Sequence, residues 1–356
     1  LEIRPLNPNN AEQVKALLLE HCDHLPYAGC FASWNLALWL YSLLILTVGA
    51  GQGKLPIIHA LEEDGAVIGA SVLVRDDVLR HRWQIEQLVL NPKSDHMTEL
   101  GIFLITYLIS TYGAKGGKTF LAYVNDRYTD ALDLLKACSF HQAMTRESHL
   151  VTLTPQETPN SCPLLYNEWK RLTPHYYGLM SEHFNNQIPP LWRHALERLP
   201  EHFRDDTQRQ GLPLERWWLP MTALPDIAEH SGHHQGCALY IEMVCPSTQG
   251  SIQSPHWQVS VFPAPNLELP VEHCIQAIVN YCHRHAPEAP IELSTWSYQT
   301  TIRPALQPFV KQGVLSRTSL LVRDCKTRTP KGMNTRIQKA IALMDKASGG
   351  GAASPA

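Results

Sequence analysis

A single displacement lays one part of this 356-residue chain over another, and that repeat constrains the fold more than any single motif does. Shifted by 174 residues, Trp83, Gln84 and Ile85 fall on Trp257, Gln258 and Val259, and Tyr107 falls on Tyr281. Ala131 and Leu132 fall on Ala305 and Leu306, Leu135 on Phe309, Ser139 on Gly313 and Phe140 on Val314. One offset serves a strand and two helical segments, so chance is a poor explanation. The chain reads as two copies of one unit of roughly 150–170 residues, an ordinary domain size, with the second copy the more diverged.

The better-preserved copy, residues 83–140, reads strand, loop, helix, strand, helix. WQIEQLVLNP has the β-branched and apolar content of a strand, ended by Asn91 and Pro92. Residues 99–112 hold no proline, one early glycine and apolar side chains on most faces, which predicts a buried helix. Residues 120–124 are a short apolar strand, and 128–138 return to helical spacing through Ala131, Leu132, Leu134, Leu135 and Cys138. Upstream, residues 1–5 read as a first strand and not as a signal peptide. Asn9 and Asn10 are candidate caps for a helix over 11–22. The Asp64-Gly65 turn predicts a hairpin between 56–62 and 66–75, and 141–153 is expected to supply the closing strands.

TPQETPNSCP, residues 154–163, holds three prolines and no apolar period, as a linker does. The layout is therefore a domain over 1–153, the linker, a second domain over 164–325 and a tail over 326–356. In the second domain, 169–203 reads as helical with a break at Pro189-Pro190. Strands are expected over 215–220, 237–245 and 256–262, and a helix over 274–282.

Composition narrows the partners. A hydrophobic fraction of 44% and a charged fraction of 18% are those of an ordinary soluble protein. The net charge of -3 offers no field for a nucleic acid, so no specific nucleic-acid partner is expected. Nine cysteines without a C-x-x-C pair argue against a disulfide framework and for a reducing, cytoplasmic compartment. Residues 25–53 hold no Asp, Glu, Lys or Arg, and their apolar run approaches the ~20 residues of a membrane span. Asn35, Ser42 and Thr47 dilute it and basic flanks are missing, which favours a core helix over 34–48, or an apolar docking face for a protein or membrane-associated partner. The tail carries Lys326, Arg328, Lys331, Arg336, Lys339 and Lys346, with Met333, Ile337, Ile341 and Met344 on one face. A basic amphipathic helix of this kind docks on its own protein, on an acidic partner or peripherally on an anionic membrane, and a flexible end follows it.

The strand end Leu88-Val89-Leu90-x-Pro92 resembles the acyl-CoA-binding half of the GNAT acetyltransferase superfamily. So does Ala131-Leu132-x-Leu134-Leu135-x-x-x-Ser139-Phe140, which stands for that family's A-I-x-L-Y-x-x-x-G-F. The resemblance implies an α/β (α+β) protein of two tandem GNAT-like domains, each a mixed, mostly antiparallel sheet flanked by helices. It also implies transfer of an acetyl or other acyl group from acetyl-CoA or another acyl-CoA to an amine acceptor. Such chemistry needs a nest of backbone N–H groups at a helix N-terminus for the pyrophosphate. It also needs a splayed strand for the thioester, a general base and an acid.

Carried onto this chain, the resemblance places Leu88 and Leu90 on the thioester strand, and Lys93, His96 and Gly101 at the cofactor loop. Glu86 becomes the base, on one face with Gln84, Leu88 and Leu90 by alternation. The family's acidic tyrosine falls on Leu135, so Tyr128, or Tyr123, is the substitute. The family's R/Q-x-x-G-x-G/A loop falls on residues 95–100, where Asp95, His96, Thr98 and Leu100 replace the basic residue and the glycines. Asp95 and Glu99 would oppose a diphosphate. In the second copy Pro265 and Pro270 each remove an N–H, Glu268 lies between them, and Ser260 stands at the base position. No metal site is expected, because His230, His233, His234 and Cys237 lack ligand spacing. Two functions fit: an acyltransferase working in the first copy, or a catalytically degenerate module that docks a partner through helix 34–48 or the basic tail.

Overall fold

Asp64 and Gly65 take φ of 51° and 83°, the left-handed pair that a tight hairpin turn demands. Around them, in this computed structural model, the sheet is built outward. Described residues are 1–20, 56–92, 96–151, 168–204, 208–209, 212–220, 236–246, 256–264, 271–310 and 313–325. The linker 154–163, the apolar helix 34–48, the tail 326–356, Lys93 and the 230–234 histidines lie outside them.

The first repeat contributes β1 (Glu2–Pro5), α1 (Ala11–Glu20), β2 (Ile57–Glu63), β3 (Ala66–Arg75), β4 (Arg82–Leu90), α2 (Met97–Ala114), β5 (Thr119–Asn125), α3 (Thr129–Ala137) and β6 (His141–Val151). The second contributes β7 (Lys170–Arg171), α4 (Tyr177–Gln187), α5 (Arg193–Leu196), β8 (Gln208–Arg209), β9 (Leu212–Pro220), β10 (Cys237–Val244), β11 (Trp257–Pro263), α6 (Val271–His285), β12 (Ile291–Trp296), α7 (Ile302–Leu306) and β13 (Ser316–Asp324). From β4 onward β11, α6, α7 and β13 lie close to the offset seen in the sequence, while β12 falls short of it, since Phe120 and Ile291 are the residues paired with Trp83 and Trp257. Nearer the start of each copy it drifts.

Both repeats lie in one 13-stranded sheet of order β1-β2-β3-β4-β5-β13-β6-β12-β11-β10-β9-β7, with β8 beside β9. Pairing is parallel at β4–β5 and β11–β12 and antiparallel elsewhere, so the sheet is mixed and mostly antiparallel. At the centre one expectation is corrected. Residues 141–153 are expected to supply closing strands; of these 141–151 form one strand, β6, and the neighbour that closes β5 is β13 of the other copy. Reciprocally, β12 is closed by β6. Among the described residues each copy has one strand after its last helix, and β5 and β12 each take an antiparallel partner, so the copies exchange theirs.

Helices cover both faces. Under α2 and α3, Trp83, Ile85, Phe120, Ala122 and Val124 meet Ile105, Leu108, Leu134 and Leu135 in one apolar cluster. On the opposite face α1 packs Val14, Leu17 and Leu18 on Ile58, Ala70, Val72 and Val89. The Asn10 side chain does not cap α1: it accepts from Asn7 N–H at 2.8 Å and reaches Glu62. Among the described residues α2 is long and apolar enough to cross a membrane, with mean hydropathy 1.2. Its Leu104, Ile105 and Leu108 are fully buried, as in a core helix. After α3, Ser139 takes φ 64° while its N–H bonds Lys136 O at 2.8 Å. That is where the family pattern has glycine, and the left-handed turn explains why.

Candidate active site

β4 and β5 run paired from Arg82–Thr119 to Ile85–Ala122, and there the ladder stops. Beyond it β4 stays with β3 as far as Leu90–Gly69, while β5 follows β13 to Asn125–Thr318. Two parallel strands drawn to different neighbours must part, and a cleft of about 490 Å³ opens between them. Glu86, Leu88, Leu90, Met97, Tyr128 and Leu134 are among its walls.

Glu86 owes its position to a bulge. Val72 pairs with Gln87 and Leu73 with Ile85, so Glu86 is the extra residue on β4. A bulge of this kind turns the alternation over. Trp83 and Ile85 pack under α2 and α3, and past the bulge it is Leu88 that does so, while Val89 faces α1. The expectation that Gln84 shares a face with Glu86, Leu88 and Leu90 is therefore corrected. Gln84 lines a different cavity. Burial raises the Glu86 carboxyl above its ordinary value, and no opposing contribution is found. Among the described residues no cation or hydrogen-bond donor is set against it.

Tyr128 precedes α3, is half-buried, lines the cleft and carries the Arg127 guanidinium 4.6 Å from its ring centre. Leu88 and Leu90 lie on the cleft wall and are part of its apolar lining. His96 stands just before α2, exposed, and its side chain makes no capping bond. Gly101 is not on the cleft wall. A Cβ there would lie 2.6 Å from Leu134 Cδ2 and 3.2 Å from Leu90 Cδ1, so this glycine lets α2 sit close on β4 and α3. Arg127, at the rim, was missed by sequence reasoning. Its signal was a cation in the short turn between the second strand and the second helix.

The equivalent opening in the second copy is filled. β11 and β12 stay paired to Ser260–Ser294. Past that point the buried Gln299 amide donates to Val261 O at 2.8 Å and accepts from Trp296 N–H at 2.8 Å. One side chain thus takes both backbone groups that parted strands would offer a ligand.

No family model matches the sequence. No curated protein matches it at a significant level. Solved structures do match. A tandem GNAT protein from the clavulanic acid biosynthesis pathway aligns over 93% of this chain and 99% of its own, with TM-score 0.54 and 14% identity. This chain has the tandem GNAT fold. A GCN5-related N-acetyltransferase from Sphaerobacter thermophilus is similar over 92% of this chain and 96% of its own, with TM-score 0.50 and 13% identity. At such identities the likeness is one of fold. The tandem GNAT fold accounts for the mixed sheet built from two repeats.

Proposed function

We propose that the first repeat is an acyl-CoA-dependent N-acyltransferase working in the cleft between β4 and β5. The observation that carries this is the parting of the strands immediately beyond Ile85–Ala122, with Glu86 bulged out at the apex. On the side of β4 that faces the cleft, backbone groups beyond Ile85 have no strand partner, and buried backbone groups need one. A ligand arm carrying amides satisfies them. The volume falls within the ~300–1,000 Å³ of small-molecule sites, and Leu88, Leu90, Val124 and Leu134 make the walls apolar.

At the mouth, the first turn of α2 offers N–H groups with no helical acceptor, beside Met97 and Thr98. With Arg127 they are the groups that would hold a diphosphate. Side chains at His96 and Thr98, where the family has glycines, keep that end looser than a glycine nest. The bound acyl-CoA supplies an activated thioester. Glu86 takes the amine proton as the N–C bond forms and the C–S bond breaks, and Tyr128 returns a proton to the departing sulfur. A base with a raised pKa is suited to this task near neutral pH. Among the described residues nothing equivalent is offered by the second repeat, whose opening holds Gln299 and whose base position is Ser260.

Thermal unfolding and calorimetry with acetyl-CoA test the proposal. Saturable binding should stabilise the protein by about 2.7 kcal/mol at a hundredfold excess over Kd. Glu86→Gln should keep that binding and lose transfer. Absence of any shift at millimolar acetyl-CoA overturns the reading.

A further inference from the structure

A second cavity, of about 190 Å³, lies where the two repeats meet. Val74, Gln84 and Leu121 line it from the first repeat, and Arg198, Trp296 and Tyr298 from the second. Tyr123 lines both this cavity and the cleft. Gln84, before the bulge, lines this cavity and Glu86, the bulged residue, lines the cleft, so the two spaces flank one strand pair at the level where pairing ends.

Charge in this cavity is one-sided. Arg75, Arg82 and Arg198 line it against a single carboxylate, Asp76. That carboxylate is already held by Arg82 and by His202 at 3.0 Å. Arg198 is different. One of its N–H groups goes to Glu242 Oε1 at 2.8 Å, and its guanidinium lies 4.3 Å from the Phe184 ring centre. Its other N–H groups have no partner among the described residues, and its side chain is 29% exposed. The backbone beneath it is clamped: Ser181 Oγ donates to Arg198 O at 2.6 Å, and Asn185 Oδ1 accepts from Arg198 N–H at 2.9 Å. A fork of spare donors on a locked backbone is a preorganised anion site. Beside it, burial keeps the Tyr298 hydroxyl protonated, and its ring stacks on Trp296 at 6.4 Å.

We infer that this cavity is the acceptor pocket, that the second repeat serves as its far wall, and that it selects a small amine bearing a carboxylate. The carboxylate lies on Arg198 and Tyr298, and the amine points past Tyr123 toward Glu86. The inference rests on the acyltransferase reading of the cleft and names the substrate class for it. Excess positive charge rejects polyamines. The volume, below the ~300 Å³ of a drug-sized site, admits an amino acid or short ω-amino acid and little more.

The full-length protein is titrated with leucine, phenylalanine and β-alanine, and with isoamylamine, phenethylamine, ethylamine and spermidine. Binding is read by saturation-transfer NMR and calorimetry, with and without acetyl-CoA. At least one zwitterion should bind tenfold or more tightly than its decarboxylated counterpart. Arg198→Gln and the isosteric Tyr298→Phe should each weaken that zwitterion about tenfold, with the thermal shift given by acetyl-CoA unchanged. Equal or tighter binding of the plain amines, an effect of neither variant, or no zwitterion bound at all overturns the inference. Acetyl-CoA binding without zwitterion binding removes this inference alone. Zwitterion binding by a protein blind to acetyl-CoA removes the cleft assignment and keeps the ligand class of the pocket.

Discussion

Arg82 ties the two repeats together, and replacing it by methionine gives a number to that tie. Its guanidinium pairs with Asp76, with Nε 2.8 Å from Oδ2, and also donates to Ala195 O at 3.1 Å and Glu197 O at 2.8 Å. Arg82 and Asp76 side chains are 10% and 12% exposed, so water cannot substitute. Arg82→Met leaves two carbonyls short of a donor, each worth about 1–3 kcal/mol. It also leaves a carboxylate that keeps only His202 and the N–H groups of Val78 and Leu79. The expected loss is about 3–5 kcal/mol, the usual cost of breaking a buried pair from one side. Urea unfolding, followed by tryptophan fluorescence and circular dichroism, measures it. Adding Asp76→Asn removes the stranded charge and should recover about 1 kcal/mol or more. Burial alone would raise the Asp76 carboxyl, but the His202 hydrogen bond and Arg82 hold it well below the usual range. A depressed pKa stabilises the fold fully above the unfolded value of about 3.9, and that stabilisation disappears as pH falls through the folded value. The gap between wild type and Arg82→Met should therefore be full at pH 7 and narrow below about pH 4. A loss under about 1 kcal/mol, or a gap constant from pH 7 to pH 3, would falsify the buried-pair account.

Glu86→Gln should lower acyl transfer about 10²–10⁴-fold. The wild-type rate should climb with pH through a carboxyl value above the ordinary ~4.3 and then level, and the variant should lose that limb. Ser139→Gly, at φ 64°, should raise stability by about 0.5–1 kcal/mol in chemical denaturation, and Ser139→Val should lower it. Gly101→Val should cost about 1–3 kcal/mol through the Leu134 and Leu90 contacts, and trimming Leu134 to alanine in the same chain should make the two changes less than additive. Gln299→Leu should cost about 2 kcal/mol or more by stranding Val261 O and Trp296 N–H, with no gain in acetyl-CoA binding by calorimetry.

Local pattern was enough for most elements of the first repeat. The Asp64-Gly65 turn and the apolar run of α2 are written in residues a few positions apart, and the offset to Trp257 is found by laying the chain over itself. Pairing at the centre of the sheet was not legible, because β6 and β13 are equivalent strands at the same offset and either would close β5. Only three-dimensional register decides between them. Within the cleft, Glu86, Leu88 and Leu90, placed by resemblance, and Tyr128, chosen for its nearness in sequence, line one space. Gln84 was misassigned because a bulge is one extra residue with no composition of its own. Gly101 was read for phosphate, but its missing Cβ makes room for Leu134. Arg198 was out of reach, since nothing in its neighbourhood in sequence announces a pocket made with strands from the other copy.

The exchange of closing strands also sets a timetable for making the protein. Ser319 hydrogen-bonds Asp126 across 193 positions of chain, so the outer edge of β5 stays bare until nearly the last described strand has been synthesised. At 5–20 residues per second that is a wait of about 10–40 s. Until β13 is made, the edges of β5 and β6 that it fills lack their native partner, and such edges can recruit foreign strands. Nascent chains and C-terminally truncated fragments therefore carry an aggregation hazard at this edge, and the first repeat gains its native closing strand only when the second is finished.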